Sequence, residues 1–223
     1  MKYYALIVND SGAIELIDYK YSGNNKLSVC KMYDDSDYNS LNDILHSVGE
    51  HILSPRTLKI IQKFNLKEYQ WSPAKVVRKE KLFNFIKINK SYDYYNLQDT
   101  SGISSECYDW IDFEKSEVYA IDNLNKQIKI KSHNHTLDLI NENKSQSSRI
   151  FDFKAEVIAF GNKFDSDVDM FNIPFYSWAT YISQRMKNKL EESHITDIQF
   201  AEHKNQIGKM WKDSFPTIKF LRN

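Results

Sequence analysis

The stretch Ile173–Glu202, IPFYSWATYISQRMKNKLEESHITDIQFAE, decides how the chain is read. Ser177 stands at an N-cap position, where a hydroxyl can accept from an orphan N–H of the first helical turn. From there Trp178, Tyr181, Ile182, Met186 and Leu190 fall on one stripe of a 3.6-residue helix, with Arg185, Lys187 and Lys189 mostly off it. After Ser193-His194 the period changes to two in Ile195-Thr-Asp-Ile-Gln-Phe200, apart from the Thr-Asp pair. The spacing predicts a helix, a turn and a strand.

Working outward, a shorter relative of this unit lies upstream. Ser54 is placed as an N-cap, and Pro55 follows at the first helical position, where its missing N–H costs nothing. Leu58, Ile61 and Phe64 form the stripe, and the segment closes as Leu66-Lys-Glu-Tyr-Gln-Trp71. That ending matches Ile195–Phe200 in type: apolar, polar, acidic, apolar, Gln, aromatic. Both caps have a threonine three residues on, Thr57 and Thr180. With the caps so placed the copies differ by about one and a half helical turns, which makes them similar units and not a solenoid period. Two ordinary helix–strand connections alike by chance is the competing reading.

The rest of the chain reads mainly as strand. Lys2–Asn9 is aromatic and β-branched, and Asn9-Asp-Ser-Gly12 has hairpin chemistry, so Ala13–Lys20 is expected to pair back on it. Leu27–Tyr33 is a third strand, and Asp34-Asp-Ser-Asp37 an acidic loop. Ser40 is expected to cap a helix carrying Leu41, Ile44, Leu45 and Val48, stopped by Gly49. Ala74–Val77, Lys81–Asn89, Tyr92–Leu97, Val118–Asp122, Gln127–Lys131, Ile150–Phe153 and Val157–Phe160 are further strands. His133–Ser148 is polar and reads as a loop, or a weak strand at Thr136–Ile140. The tail from Ala201 carries Trp211, Phe215 and Ile218 without a clear period and is expected to pack over the sheet. Strands and helices come in runs, not strict alternation, which predicts an α+β fold with a largely antiparallel sheet and about three helices. The chain is expected to form a single domain over residues 1–223, with a subdivision into lobes 1–75 and 76–223.

At 223 residues the chain is long enough to bury a real core, and aromatics at 14% argue for a folded protein. Lys plus Arg equals Asp plus Glu at 30 each, so no global field draws it to nucleic acid or an anionic membrane. The charge is nevertheless segregated: residues 1–50 are net −4, 51–100 net +6, 101–170 net −5 and the remainder net +3. Two cysteines, Cys30 and Cys107, are too few for a disulfide framework and read as buried free thiols of a reducing compartment. The apolar run in MKYYALIVNDSG is too short for a signal sequence, and no stretch reaches a membrane-spanning length. The expected location is the cytoplasm.

Candidate chemistry is sparse. His133-Asn-His135 with Asp138 offers imidazoles and a carboxylate, but a third ligand and an open position are not identifiable, so no metal is expected. Asp165-Ser-Asp-Val-Asp169 starts like a calcium loop and fails where that loop is strict, with Met170 for the glycine and Tyr176 for the bidentate glutamate. Phosphate-binding glycine loops, nucleophile elbows and zinc-helix motifs do not occur. Cys107 lacks a neighbouring histidine, and the Asp109/Asp112 pair lacks supporting context for acid–base work. The basic segment Lys75–Lys90 could be drawn as a nucleic-acid strip, but its aromatic positions are explained as core and the total charge is balanced. No catalytic residue and no cofactor is therefore expected. What stands out are aromatic-plus-acidic stretches: Tyr92-Asp-Tyr-Tyr95, with Tyr92 and Tyr94, and Tyr108 to Glu114, with Tyr108, Asp109, Trp110, Asp112 and Glu114. Tyr and Trp give large contact area at low entropic cost, so these seven residues are the candidate partner-binding set.

Several of these pieces together resemble a family. They are the Met-Lys-Tyr-Tyr start, Ile52-Leu-Ser-Pro-Arg-Thr-Leu through Tyr69-Gln-Trp-Ser-Pro-Ala-Lys-Val, and Tyr94-Tyr-Asn-Leu. Trp110-Ile-Asp-Phe-Glu-Lys-Ser-Glu117 and Phe175-Tyr-Ser-Trp through Asp197-Ile-Gln-Phe complete the set. The chain resembles the bacterial immunity proteins of polymorphic-toxin and contact-dependent or type VI effector systems, a group first catalogued as a domain of unknown function. In that group an Asp-x-x-x-Ser element follows a tyrosine-rich strand, and here it reads Asp112-Phe-Glu-Lys-Ser116. The resemblance covers most of residues 1–202. It implies a non-enzymatic protein that binds a cognate toxin in the cytoplasm and blocks it; it implies no catalytic residues. The polar stretch His133–Ser148 and the tail after Glu202 depart from it. The rival classes are a cytoplasmic enzyme of unknown reaction, or a general protein-interaction module.

Overall fold

The computed structural model describes residues 2–8, 14–22, 25–32, 42–47, 50–83, 86–101, 105–122, 124–145, 152–177, 179–196, 198–202 and 216–221. In chain order the first elements are β1 (Tyr3–Val8), β2 (Ile14–Ser22), β3 (Asn25–Met32), β4 (Ile44–Ser47), β5 (Glu50–Leu53) and α1 (Pro55–Ile61). There follow β6 (Tyr69–Phe83), β7 (Ile86–Asp99), a 3-10 turn over Glu106–Trp110, β8 (Glu117–Ile121), β9 (Gln127–Lys129) and α2 (His133–Ser145). The last are β10 (Asp152–Phe160), β11 (Met170–Asn172), β12 (Thr180–Ser183), α3 (Gln184–Glu192), β13 (Ile198–Ala201) and β14 (Thr217–Phe220). The fold is α+β with sheet dominant and mostly antiparallel; β3–β6 and β10–β14 are parallel pairs.

Two compact units emerge, and both are discontinuous in sequence: residues 1–5, 101–183 and 201–223 form one, residues 6–100 and 184–200 the other. A division at 75/76 is not available, because β6 runs straight through it.

In the second unit a six-stranded sheet has the order β2-β3-β6-β7-β5-β4, and β2 approaches β4, so the sheet curls towards closure. Its enclosed face gathers Cys30, Leu45, Ile52, Ala74, Val76 and Tyr94, with Tyr92 at the margin. The period of two explains the choice. Ala74 pairs with Tyr94 and Val76 with Tyr92 on one face, while Leu53 and Leu97 point the other way and are also buried, where α1 lies against β5 and β7. Ser54 caps α1 as expected: its Oγ accepts from Thr57 N–H at 3.2 Å, Pro55 sits in the first turn, and Thr57, Leu58 and Ile61 are buried. α3 packs against α1, burying Met186 and Leu190, and the Arg56 guanidinium donates to the Ser193 carbonyl.

The two related sequence units prove to be one architecture, displaced from the expected alignment. Residues 180–183 form β12, not the first turns of a helix, and all four are buried. Adjacent Tyr181 and Ile182 fit a helical stripe on paper, but a strand buried on both faces also shows adjacent apolar residues. Helix α3 begins at Gln184, so the serine equivalent to Ser54 is Ser183 and not Ser177. Ser177 instead accepts from Ala179 N–H at 3.1 Å and meets the Tyr181 hydroxyl at 2.9 Å. With Ser183 aligned on Ser54 the offset to the closing hexapeptide is identical in both copies, and no helical turn is missing.

Each copy is strand, strand, helix, strand, held by the same clamp. Ser54 donates its N–H to the Asp43 carbonyl at 2.9 Å and its Oγ to Asp43 Oδ1 at 2.8 Å. Ser183 donates its N–H to the Asp169 carbonyl at 2.8 Å and its Oγ to Asp169 Oδ1 at 2.5 Å. The registers agree too: Ile44 opposes Leu53 as Met170 opposes Ile182, and Leu45 opposes Ile52 as Phe171 opposes Tyr181. The hairpins differ at their tips. β4 and β5 are joined across positions 48–49, whereas 173–179 separate β11 from β12.

Other expectations are corrected. Ile44 and Leu45 belong to β4, not to a Ser40-capped helix; Ser40, Leu41, Val48 and Gly49 lie outside the described residues. β1 does not pair with β2: it sits between β12 and β13, and its run Tyr3–Leu6 is buried throughout. The Asn9–Gly12 turn and the Asp34–Asp37 loop lie outside the described residues. Lys81–Asn89 is not one strand but the place where β6 ends and β7 begins.

His133–Ser145 is helical: Ser132 Oγ accepts from His135 N–H at 3.1 Å, and Thr136 and Leu139, three apart, are buried. The tail contributes β14, added in parallel to β10 at the edge of the sheet β14-β10-β8-β9. Trp211 and Phe215 fall outside the described residues.

Candidate partner-binding surface

In the first unit the acidic-aromatic stretch forms a ledge whose rings face inward and whose carboxylates face out. Ser105 Oγ accepts from Cys107 N–H at 3.1 Å and starts the 3-10 turn. Cys107, Tyr108 and Trp110 are thereby buried, while Glu106 and Asp109 are exposed. Trp110 presents its edge to Phe160, Phe164 and Phe171 at centroid distances of 6.3, 5.1 and 5.5 Å. Such edge-to-face pairs add stabilisation beyond the area they bury. Tyr108 stacks on the His133 imidazole at 3.8 Å and donates its hydroxyl to the Pro174 carbonyl at 2.9 Å.

The backbone of the ledge is tied to β10. Gly161 N–H donates to the Trp110 carbonyl and Asp112 N–H to the Ala159 carbonyl, both at 2.8 Å. Ser116 then locks the following turn, its Oγ donating to the Asp112 carbonyl at 2.7 Å and accepting from Ala159 N–H at 2.9 Å. This is the physical work of the Asp-x-x-x-Ser element: the serine, 1% exposed, bridges a turn to a neighbouring strand. The Asp112 carboxylate accepts from Lys115 N–H at 3.2 Å and pairs with the Lys115 ammonium at 3.4 Å. Glu114 is exposed beside it.

The seven candidate residues therefore divide. Tyr92 and Tyr94 lie in the other unit, on β7. Tyr94 is 5% exposed, its hydroxyl donates to the Asn42 carbonyl at 2.8 Å, and burial pushes its ionisation well up. Tyr108 and Trp110 are core rings. Asp109 and Glu114, with half-buried Asp112, remain as surface groups, and Glu106 joins them. One ring beside Tyr108 that reaches solvent was not legible: Phe175, 38% exposed at φ 68°, in the long connection before β12. Its centroid lies 6.3 Å from Tyr108 and 5.9 Å from Phe153. A bulky residue in the left-handed region is strained, and nothing in its sequence neighbourhood announces that conformation.

The other candidate motifs resolve into structure. His133 is spent on Tyr108, and His135 Nδ1 accepts from Lys131 N–H at 3.3 Å, so the two imidazoles have separate local roles in the first turn of α2. Asp165 Oδ1 caps Asp167 N–H at 2.9 Å, and Asp169 holds Ser183. Cys30 and Cys107 are buried and joined in no disulfide. Among the described residues no group of His, Cys, Asp and Glu is placed to hold a metal ion, and no helix is long and apolar enough to cross a membrane. No family model matches the chain, and no curated protein matches it.

Proposed function

We propose that this chain is an immunity protein that binds a cognate bacterial toxin in the cytoplasm and neutralises it by occlusion. One structural observation carries the reading: the exposed carboxylates of Glu106, Asp109 and Glu114 project from a backbone pinned to β10 and floored by buried aromatic rings. A preordered surface loses little entropy on binding, so more of its contact energy survives as affinity. Carboxylates at such a face speed capture of a cationic partner surface and set its orientation. A stable complex of this kind buries about 1,600 Å² in total. The sequence resemblance to immunity proteins points the same way, and the ledge includes the Asp-x-x-x-Ser element on which that resemblance leans. Trp110 supports the ledge from below and does not touch the partner.

The test is to express the product of the adjacent open reading frame in cells with and without this chain. Wild type is expected to rescue growth, and Asp109→Lys with Glu114→Lys to lose rescue while remaining folded. If the charge-reversed protein protects as well as wild type, the ledge is not the contact; if wild type does not protect, the immunity reading fails.

A further inference from the structure

Residues 173–176 form a turn, closed by the Tyr176 N–H on the Ile173 carbonyl at 3.2 Å. Pro174 takes its first central position and Phe175, at φ 68°, the second. That sign of φ is the type II pattern, which favours proline first and glycine or asparagine second. Among the described residues the other three non-glycine positions with positive φ are polar: Glu68, Asn125 and His194. Phenylalanine is strained there as glycine would not be, and its ring is left partly in water. The turn is nevertheless held from both sides. The Pro174 carbonyl accepts from the Tyr108 hydroxyl at 2.9 Å, and the buried Tyr176 meets the Thr136 hydroxyl at 2.5 Å. Phe175 therefore leaves a fixed backbone, beside the Tyr108 and Phe153 rings.

Acidic groups share this neighbourhood. The length of one tyrosine side chain separates Pro174 from the 3-10 turn that carries exposed Asp109. Phe113, 6.0 Å from Tyr176 between ring centroids, brings its exposed neighbour Glu114 close as well. Both distances fit within a standard interface patch of about 800 Å² per partner. We propose that Phe175 is the apolar anchor of the acidic ledge, and that the surface it receives is basic protein with an apolar socket. An aromatic set among charged groups at the rim is the anatomy of a protein interface, and burial by the partner offsets the cost that the free chain carries. A phosphate backbone or an anionic membrane would be repelled by the carboxylates. That the basic surface belongs to a toxin rests on the immunity reading; the anchor rests on the turn itself.

Phe175→Gly and Phe175→Asn both suit the backbone at this position. Each is expected to unfold at nearly the wild-type urea concentration, because relief of strain offsets the packing lost on Tyr108 and Phe153. Much earlier unfolding of both would overturn the proposal by making the ring structural. Binding is read by fluorescence anisotropy, titrating the full chain into labelled peptides of repeating Lys-Lys-Leu-Lys, of lysine alone and of glutamate alone. The leucine-bearing peptide is expected to bind best, and either Phe175 variant should weaken it about tenfold, to the all-lysine level. Asp109→Lys with Glu114→Lys should weaken both basic peptides. Equal binding of the leucine-bearing peptide by wild type and the Phe175 variants, or none by any, overturns the proposal, as does tighter binding of all-glutamate. Self-association of wild type that Phe175→Asn abolishes, read by sedimentation, would overturn it in favour of a second copy. The growth rescue separates the anchor from the immunity reading. Rescue by wild type and Phe175→Asn alike refutes the anchor and spares that reading; no rescue, with the peptide pattern intact, refutes that reading and spares the anchor.

Discussion

Ser183→Ala tests the repeated clamp most sharply. The substitution deletes the Oγ donor to Asp169 and leaves the backbone bond from residue 183 in place. Both residues are secluded, Ser183 7% and Asp169 1% exposed, so water cannot readily replace the lost hydroxyl. A hydrogen bond to a charged group contributes about 1.5–3 kcal/mol, and a buried group deprived of one keeps its desolvation cost. The expected loss is thus roughly 2–3 kcal/mol, or about 4–12 °C in melting temperature for a chain of this length. Ser54→Ala should cost about 1–2 kcal/mol, because its cap to Thr57 is lost but the Asp43 side chain is less secluded. Ser91→Ala, on an exposed stretch of β7, should change stability by less than about 0.5 kcal/mol. Urea unfolding gives the totals, and amide exchange gives the location: Ser183→Ala should loosen β11–β12 and spare β4–β5, with the reverse for Ser54→Ala. If both serine variants match the Ser91 control, the clamp does not hold the strand–helix junctions.

His194 sits at φ 50° just beyond α3, with its N–H on the Glu191 carbonyl and Ile195 N–H on the Leu190 carbonyl, the bonding of a helix stop that favours glycine. His194→Gly should therefore stabilise the chain by about 0.5–1 kcal/mol in urea titration, and a loss would refute the assignment. Alkaline pH is a second probe. Burial pushes the Tyr176 phenol up to about 12, and those of Tyr94 and Tyr181 up as well. The unfolded chain then releases these protons first, so stability is intact below about pH 10 and falls above it, by about 1.4 kcal/mol per pH unit for each such phenol. Tyr176→Phe should reduce that slope, and an unchanged slope would show that Tyr176 does not contribute. Trp110→Ala should cost about 3–5 kcal/mol from the cavity it leaves among Phe160, Phe164 and Phe171, and its effect on protection should follow that loss of fold.

The sequence made strands legible wherever aromatic and β-branched residues alternate, and it placed α1 correctly because Ser54-Pro55 is an unambiguous start. It misplaced α3 because Ser177 and Ser183 both precede apolar residues, and Tyr181-Ile182 satisfies either period. The closing hexapeptides held the answer: counting back from Leu66 and from Ile195 reaches Ser54 and Ser183 at the same distance. α2 was missed for the opposite reason: among its described side chains only Thr136 and Leu139 are buried, which leaves almost no stripe to read. The ledge was legible as a stretch but not as a surface. Sequence marks an aromatic as sticky without saying which side of the chain it ends on, and Tyr108 and Trp110 went into the core while their acidic neighbours stayed out.

The repeat separates what the fold needs from what it is free to vary. The serine–aspartate clamp and the strand registers recur in both copies, so they answer a demand of the architecture. The hairpin tips do not recur: two residues close the first, while the second is lengthened around Pro174, strained Phe175 and Tyr176. Strain at Phe175 costs stability and is not required by the repeated scaffold. A feature that a scaffold retains against its own stability, and at one hairpin only, is where an external partner best accounts for the cost. Grafting the two-residue Val48-Gly49 tip in place of 173–179 should on that logic keep β11–β12 paired, readable as protected β12 amides, while removing Phe175 from the surface. Loss of that protection would show instead that the long connection is structural.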